Sequence, residues 1–391
     1  MHNVYCTILP LLSTEIRAAL REGTLTCHRD PLNGDRLRFL TRYLEAISPS
    51  GYEASAAALW RDEAARFAEH VWSDSMGNSF AVWNEVGRPR VMLAGHTDEL
   101  GLLITHVEDE GFLRFATIGG WDLHVLPGQR VRIATAAGPI LGLVGRTPTH
   151  LLHRDHGKDA RDVRIEDLWI DIAATSKASA LERVRIGDPA VLDYGPASMD
   201  DACLVARGLD NRIGAFVVLE TIRILASSPA LEAAVFGVAT VQEEVGTRGA
   251  IAGSYALNPD IGIAVDVGHA TDTPGMREAK KRHGEIALGA GPILTRSPNV
   301  TKWLFELLVS TAETRGIPYQ IRAQSTPSGT DARAMQVTRA GVITALVSIP
   351  NRYMHTPCEM VHLEDVRNAA RLIAATVQQV HRLEGRWDLV R

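Results

Sequence analysis

The feature that most constrains the fold is an apolar run that ends in two adjacent carboxylates. Residues 233–241 are almost entirely apolar, and Gln242, Glu243 and Glu244 follow them directly. A continuous apolar run of this length is typical of a buried parallel strand. Open α/β sheets bind their ligands at the carboxyl ends of such strands. The run therefore predicts an α/β fold with a reaction centre at this edge, although a solvated acidic loop is the common explanation of an isolated Glu-Glu pair.

The two glutamates can serve different purposes. Neighbouring side chains on extended backbone point to opposite sides of the chain. One carboxylate of the pair can therefore hold a metal ion while the other faces a bound water.

Four other strand ends or strand-to-helix turns also carry a histidine or an aspartate, namely His96, Asp210, Asp266 and His355. Each has an ordinary explanation when taken alone. A histidine is more often a satisfied core residue than a ligand, and an aspartate at a helix start, such as Asp210, is usually an N-cap. Asp98 lies two residues after His96, which suits a ligand imidazole whose second nitrogen is held by a carboxylate.

Charge and cysteine usage exclude several classes of function. The formal net charge of -5 gives no general attraction to phosphate backbones, so we expect no nucleic-acid partner. No stretch reaches the ~18 consecutive apolar residues of a membrane helix, so we expect no membrane partner and a cytoplasmic location. The four cysteines are widely spaced, which argues against a disulfide framework and against a thiolate zinc site. Any metal must then be held by oxygen and nitrogen.

The chain texture predicts an α/β domain with an inserted β-rich unit. Residues 1–34 form an N-terminal extension with a predicted helix from Thr14 to Arg21. Residues 35–101 and 203–391 form the catalytic domain, with a mostly parallel central sheet between helices on both faces. Residues 102–202 contain short alternating segments punctuated by Gly and Pro, which predict a small β-barrel or PDZ-like insert. We favour assembly as its role over plain scaffolding, and its polar loop at 153–164 is a candidate for lining or gating a site.

Two imidazoles and three carboxylates form the candidate metal site, namely His96, Asp210, Glu244, Asp266 and His355. Zinc, cobalt and manganese accept such a ligand set. Five residues suit two ions about 3.5 to 4 Å apart when one carboxylate bridges them. Glu243 is then free to act as general base, which predicts metal-assisted hydrolysis. These residue types leave open whether the bond is a peptide, a phosphate ester or another bond.

Several sequence blocks together resemble the dinuclear-metal aminopeptidases of the tetrahedral (TET) type, which include glutamyl and deblocking aminopeptidases. The similarity runs from about residue 35 to about residue 383. It rests on the blocks AGHTDELG (94–101), LDNR (209–212), QEEVGTRGA (242–250), DVGHATDTPG (266–275), GTDA (329–332) and RYMHTP (352–357). Each block is modest alone, but their order and combination are specific.

The resemblance implies roles for the candidate residues. It implies a metallopeptidase-like α/β/α sandwich, zinc as the first choice of metal, and short peptides as substrates. One metal would bind His96 and Asp266 and the other Glu244 and His355, with Asp210 bridging, Glu243 as general base and Asp98 orienting the first histidine. The insert would mediate dimerisation, and the dimers would build a tetrahedral dodecamer. The N-terminal extension exceeds the family pattern, and Asn211 stands where many relatives have a second aspartate.

Two alternatives to an aminopeptidase that trims short peptides remain open. Some relatives carry glucanase names, and a metal-independent glycoside hydrolase would use a pair of carboxylates without metal. A non-catalytic scaffold would hold structural metals in closed coordination.

Overall fold

The computed structural model describes residues 34–148, 150, 163–200, 202–228 and 231–380 of the chain. The helix predicted from Thr14 to Arg21 lies outside these residues. The predicted polar loop at 153–164 also lies outside them, except for its last two positions.

Helices and strands alternate along most of the described chain. The helices are α1 (Asp35–Glu45), α2 (Ala54–Ala64), α3 (Lys177–Leu181), α4 (Leu209–Ala226), α5 (Arg248–Leu257), α6 (Arg277–His283), α7 (Lys302–Arg315), α8 (Asp331–Gln336) and α9 (Leu363–Val377). The strands are β1 (His70–Ser73), β2 (Ser79–Trp83), β3 (Arg90–His96), β4 (Gly101–Val107), β5 (Leu113–Ile118), β6 (Arg130–Thr135), β7 (Gly138–Arg146), β8 (Leu168–Asp171), β9 (Pro189–Leu192), β10 (Ala197–Ser198), β11 (Cys203–Ala206), β12 (Ala234–Thr240), β13 (Ile261–His269), β14 (Ile293–Arg296), β15 (Gln320–Ala323), β16 (Ile343–Arg352) and β17 (Glu359–His362). None of the helices in the described ranges is long and apolar enough to cross a membrane.

The central sheet is mixed, so the prediction of a mostly parallel sheet was wrong. Within the described residues its main path runs β1-β2-β12-β3-β13-β16-β17-β11-β10, with β14 and β15 branching from β16. Only β12, β3, β13 and β16 form a continuous parallel group, and the strands that flank it on this path are antiparallel. The reason is connection length: parallel neighbours require a long crossover, whereas β16 reaches β17 through a short loop that permits antiparallel return.

The register of the parallel strands sets the level of the candidate site. Thr240 at the end of β12 pairs with His96 at the end of β3. Ala264 of β13 pairs with Ala94 of β3, so Asp266, two residues further on, reaches the level of His96. Three strand ends therefore deliver side chains to one edge of the sheet.

Helices cover both faces of the sheet, as predicted. Along β3, Val91 and Leu93 belong to a large core shared with α1, α2, α4, α7 and α9. Met92 and Ala94 point the other way, into a smaller core shared with α5 and α8. The parallel strands are thus buried on both sides, which explains their continuous apolar sequence.

The predicted inserted barrel is confirmed. Strands β4-β5-β8-β7-β6-β9 close into a six-stranded barrel between β3 and the return of the chain at β11. Its interior has a separate hydrophobic core that includes Leu102, Ile104, Val131 and Ile170. Because β4 begins five residues after His96, the barrel starts directly beside the candidate site.

Candidate active site

The structure brings the predicted ligands together in one cavity. His96, Asp210, Glu244, Asp266 and His355 all line it, and so does Glu243. The cavity has a volume of about 850 Å³ and is open to solvent. It lies where the parallel strands end, at the edge that the apolar runs predicted.

His96 presents one ring nitrogen to a group of carboxylates. Its Nδ1 lies 3.1 Å from the carbonyl oxygen of Asp98 and 3.4 Å from the Oδ1 of the same residue. With the proton held there, Nε2 is left with a free lone pair. That nitrogen lies 3.3 Å from Asp210, 3.7 Å from Glu243 and 3.9 Å from Asp266. This arrangement suits a metal-binding imidazole whose orientation is fixed by its second nitrogen.

His355 is arranged in the same way on the other side of Asp210. Its Nδ1 lies 3.1 Å from the carbonyl oxygen of Gly120, which belongs to the inserted unit. Its Nε2 lies 3.4 Å from Oδ2 of Asp210 and 3.7 Å from Glu244. Asp210 therefore directs Oδ1 toward His96 and Oδ2 toward His355. A carboxylate that faces one imidazole with each oxygen can bridge two cations.

Glu243 and Glu244 point to different parts of the cluster. Oε2 of Glu243 approaches His96, whereas Oε2 of Glu244 approaches His355. Ligand atoms lie within 4.8 Å of one another in two groups, one of His96, Asp210 and Glu244 and one of His96, Glu243 and Asp266. Distance alone therefore allows Glu243 to be either a metal ligand or a free base.

The electrostatics of the cluster fit a cation. Burial, reinforced by neighbouring carboxylates, raises the pKa of Glu243 to about 10 and of Asp266 to about 8. Burial and the charge of Asp210 also raise the pKa of Glu244, and its buried Oε1 has no hydrogen-bond partner among the described residues. For Asp210 the two imidazoles outweigh burial and hold its pKa below the usual range. Carboxylates crowded in this way retain protons that a divalent ion can displace, so the residues fit a metal centre.

Asp98 supports more than the histidine. Its carboxylate is fully buried and accepts hydrogen bonds from the backbone N–H groups of Glu243 and Glu244, each at 3.1 Å. The hydroxyl of Ser50 donates to the same carboxylate at 2.5 Å. One side chain thus fixes the end of β3 relative to the loop after β12.

Glu359 is a site residue that the sequence analysis missed. Its buried carboxylate accepts hydrogen bonds from the backbone N–H of Asp210 at 2.8 Å and of His355 at 3.0 Å. It therefore holds the backbone of two candidate ligands that are far apart in sequence. Its place four residues after His355, at the start of β17, was the only available signal, and a glutamate at a strand start is normally solvated.

The family model and the relatives found by comparison with known proteins point to the same family. Residues 77–372 match the family model described as M42 glutamyl aminopeptidase. The lysyl aminopeptidase of Pyrococcus furiosus is 33% identical over 347 residues, which cover 87% of this chain and 96% of that protein.

Solved structures agree with this match. The TET aminopeptidase of a marine sediment Thaumarchaeota archaeon is 33% identical and covers 90% of this chain and 98% of its own, with a TM-score of 0.84. The Pyrococcus horikoshii TET1 peptidase, described as able to assemble into a tetrahedron or a large octahedral shell, is 32% identical with a TM-score of 0.77. That alignment covers 88% of this chain and 100% of the other.

Proposed function

Because the chain belongs to the M42 glutamyl aminopeptidase family, we propose that it removes N-terminal residues from short peptides at a centre that holds two divalent metal ions. The observation that carries this proposal is the placement of Asp210 between His96 and His355, with one carboxylate oxygen toward each imidazole. A single-metal site has no need of a carboxylate directed to both sides in this way.

The proposed ligands divide between the two ions around Asp210. His96 and Asp266 would hold one ion, and Glu244 and His355 the other. Zinc is our first choice, with cobalt or manganese as alternatives, because nitrogen and carboxylate ligands accept all three. Bound there, the ions would lower the pKa of a water molecule and polarise the carbonyl group of the substrate.

The protein's own groups would carry the proton. We assign Glu243 as the general base that takes a proton from the attacking water. The new carbon–oxygen bond forms as the water loses this proton and attacks the carbonyl carbon. Glu243 would then deliver the proton to the amide nitrogen as the carbon–nitrogen bond breaks and the amine leaves. Asp98 would keep His96 and the two glutamates in place through the hydrogen bonds it accepts.

We further propose that the inserted unit at 102–202 mediates dimerisation and that the dimers build a dodecamer. The relative from Pyrococcus horikoshii, described as assembling into shells, supports this proposal. We retain the division into an extension at 1–34, a catalytic domain at 35–101 and 203–391, and the insert. A cytoplasmic location accords with the free Cys203 and Cys358.

The family and its aminopeptidase relatives favour peptide hydrolysis over the glycoside hydrolase alternative. The scaffold alternative requires closed coordination. The cluster instead faces a cavity of about 850 Å³, which leaves space for a substrate beside it.

A chelation experiment tests the proposal. We expect the purified protein to hydrolyse amino-acid p-nitroanilides, to lose nearly all activity after treatment with a chelator, and to regain it when zinc or cobalt is added. Two equivalents of metal per chain should be needed for full recovery, as measured by elemental analysis of the reactivated protein. Full activity in excess chelator, or release of sugar from a β-glucan without metal, would contradict the proposal.

A further inference from the structure

One wall of the cavity carries a cation that the proposed mechanism does not use. Arg322 lies on β15, beside Thr295 of β14 in the sheet register, and both residues line the cavity. The candidate metal centre in the same cavity is acidic, with four carboxylates from Asp210, Glu243, Glu244 and Asp266. The cavity is therefore acidic at the candidate metal centre and basic at this strand.

Arg322 has no carboxylate partner among the described residues. Its Nε is buried and makes no hydrogen bond there. In the described part of the chain, the polar contact of its guanidinium is with a histidine, since Nη2 lies 3.4 Å from Nδ1 of His283. Partial burial lowers the pKa of Arg322, and no neighbouring charge opposes that effect. A half-buried guanidinium without an anionic partner has lost part of its hydration without gaining a pair, so an anion that binds there meets a smaller desolvation cost.

The cavity wall that carries Arg322 also carries a histidine. His269 ends β13 and lines the same cavity. Partial burial and the charge of Arg322 lower the pKa of His269, while Asp210 acts in the opposite direction. His269, Arg322 and the candidate metal centre therefore all face the same cavity, so one ligand in that cavity can contact more than one of them.

We propose that Arg322 is the anchor of a carboxylate-binding subsite that selects acidic or short substrates. This inference rests on the proposed aminopeptidase function and names the substrate class of that site. A guanidinium fork pairs with a carboxylate through two parallel hydrogen bonds, and the pair is stronger in a partly desolvated wall than in water. A lysine side chain in the same place would meet a like charge.

The inference distinguishes this chain among its relatives. The family is described by a glutamyl activity, whereas the relative from Pyrococcus furiosus is a lysyl aminopeptidase. Family membership alone therefore leaves the preferred residue open. Arg322, which has no carboxylate partner in the ranges that the structure describes, favours an anionic group in this protein.

Two parts of a peptide can supply the carboxylate. One is the side chain of an N-terminal glutamate or aspartate, and the other is the C-terminal carboxylate of a di- or tripeptide. A p-nitroanilide of glutamate has only the first. The dipeptide Leu-Ala has only the second, and its C-terminal amide has neither.

The test compares these substrates on the metal-loaded full chain and its Arg322→Met variant. We expect the variant to lose about 10- to 100-fold in kcat/KM toward a carboxylate-bearing substrate, mainly through KM, with leucine p-nitroanilide changed by less than about threefold. Loss on glutamate p-nitroanilide identifies the side chain as the source, and loss on Leu-Ala but not on its amide identifies the C-terminus. Arg322→Lys should retain part of the activity, and Arg322→Glu should favour lysine p-nitroanilide.

The matched control is Arg296→Met. Arg296 lies on the adjacent strand β14, with its guanidinium 5.6 Å from the ring of Phe305, and should leave every substrate ratio unchanged. If the Arg322→Met variant does not fold, the same substrate comparison is made with Arg322→Lys and Arg322→Gln. Circular dichroism checks that each variant is folded. Unchanged substrate ratios in the Arg322 variants, with normal leucine p-nitroanilide turnover, would overturn this inference alone. Failure of the wild-type holoenzyme on every substrate would overturn the proposed function together with it.

Discussion

At the residue scale, two adjacent side chains face different parts of the candidate centre. Glu243 and Glu244 are neighbours in sequence, yet one faces His96 and the other faces His355. The backbone between β12 and α5 makes this possible, since Gln242 has a positive φ of 56° and turns the chain before the pair. A general base has to remain free of both ions, so the role of Glu243 can be separated experimentally from that of a ligand.

We expect Glu243→Gln to bind two metals per chain and to lower kcat by about 10²- to 10⁴-fold, because the amide cannot accept the proton of the water. Steady-state kinetics together with elemental analysis measure both quantities. Glu110→Gln, on the exposed turn after β4, is the control and should be unaffected. Retention of wild-type turnover would remove Glu243 from the proposed role, and loss of one metal would make it a ligand.

Glu359 shows that a residue can support the centre without facing the cavity. It accepts the backbone N–H of Asp210 and of His355, so it sets the distance between two candidate ligands. A glutamine at this position keeps the shape but offers only one acceptor oxygen. The second N–H then meets a donor in place of an acceptor.

For Glu359→Gln we expect metal affinity to fall by about 10- to 100-fold, with activity recovering when metal is supplied in excess. Titration with zinc, followed by activity and by calorimetry, measures the change. Glu364→Gln is the matched control, because the Glu364 side chain is exposed at the start of α9, and it should leave zinc affinity unchanged. An unaltered zinc affinity would show that the two hydrogen bonds of Glu359 do not position the ligands.

At the scale of elements, the site depends on how closely α4 packs on β3. Gly95 precedes His96, and a Cβ built on it would lie 2.6 Å from the backbone of both Gly214 and Ala215 in α4. The absence of a side chain at Gly95 allows the helix to approach the strand closely. Asp210 at the start of α4 then reaches His96 at the end of β3.

We expect Gly95→Ala to destabilise the metal-free protein by about 1 to 3 kcal/mol, because the backbone of α4 must move away, and to weaken metal binding. Denaturant unfolding and zinc titration measure the two effects. Gly253→Ala is the control, since a Cβ there would have no neighbour closer than 3.6 Å and alanine favours the helical backbone of α5. Equal stability of the Gly95 variant and the wild type would refute this account of the packing.

At the scale of the whole molecule, the barrel serves both the active site and an outer surface. Its Gly120 carbonyl fixes His355, so the insert reaches the centre directly. On its outer side, β7 alternates between buried and exposed positions, and Leu141 and Leu143 are 57% and 47% exposed. Apolar side chains that repeat along one exposed strand face are typical of an interaction surface.

We expect the double substitution Leu141→Asp and Leu143→Asp to convert the proposed dodecamer into smaller species, because two charges on that face oppose its burial. Size-exclusion chromatography with light scattering measures the mass. Val86→Asp, 89% exposed in the loop between β2 and β3, should not alter it. An unchanged mass of the double variant would exclude this face from the proposed dimer contact.

The sequence by itself determined the parts of the molecule that depend on local order. Apolar runs predicted the buried strands, and the charged residue that followed each run indicated the edge where His96, Glu244 and Asp266 now lie together. These predictions succeed because strand burial and side-chain alternation repeat over a few residues. The end of a helix can depend on contacts with distant residues: α2 ends at Ala64, and the chain beyond it enters the sheet, where His70 pairs with Val82.

Only the tertiary structure decided the contacts between distant segments. No local pattern predicted the antiparallel flanks of the sheet or the contact of the Gly120 carbonyl with His355. The same holds for the Glu359 carboxylate, which accepts hydrogen bonds from two candidate ligands, and for Arg322, which has no carboxylate partner among the residues described. Each depends on residues that the chain topology brings together from separate segments, and pairing at such separation is set by connection lengths and packing. Residue types therefore indicated the chemistry of the candidate centre, whereas the fold decided what holds the candidate ligands and which charges face the cavity.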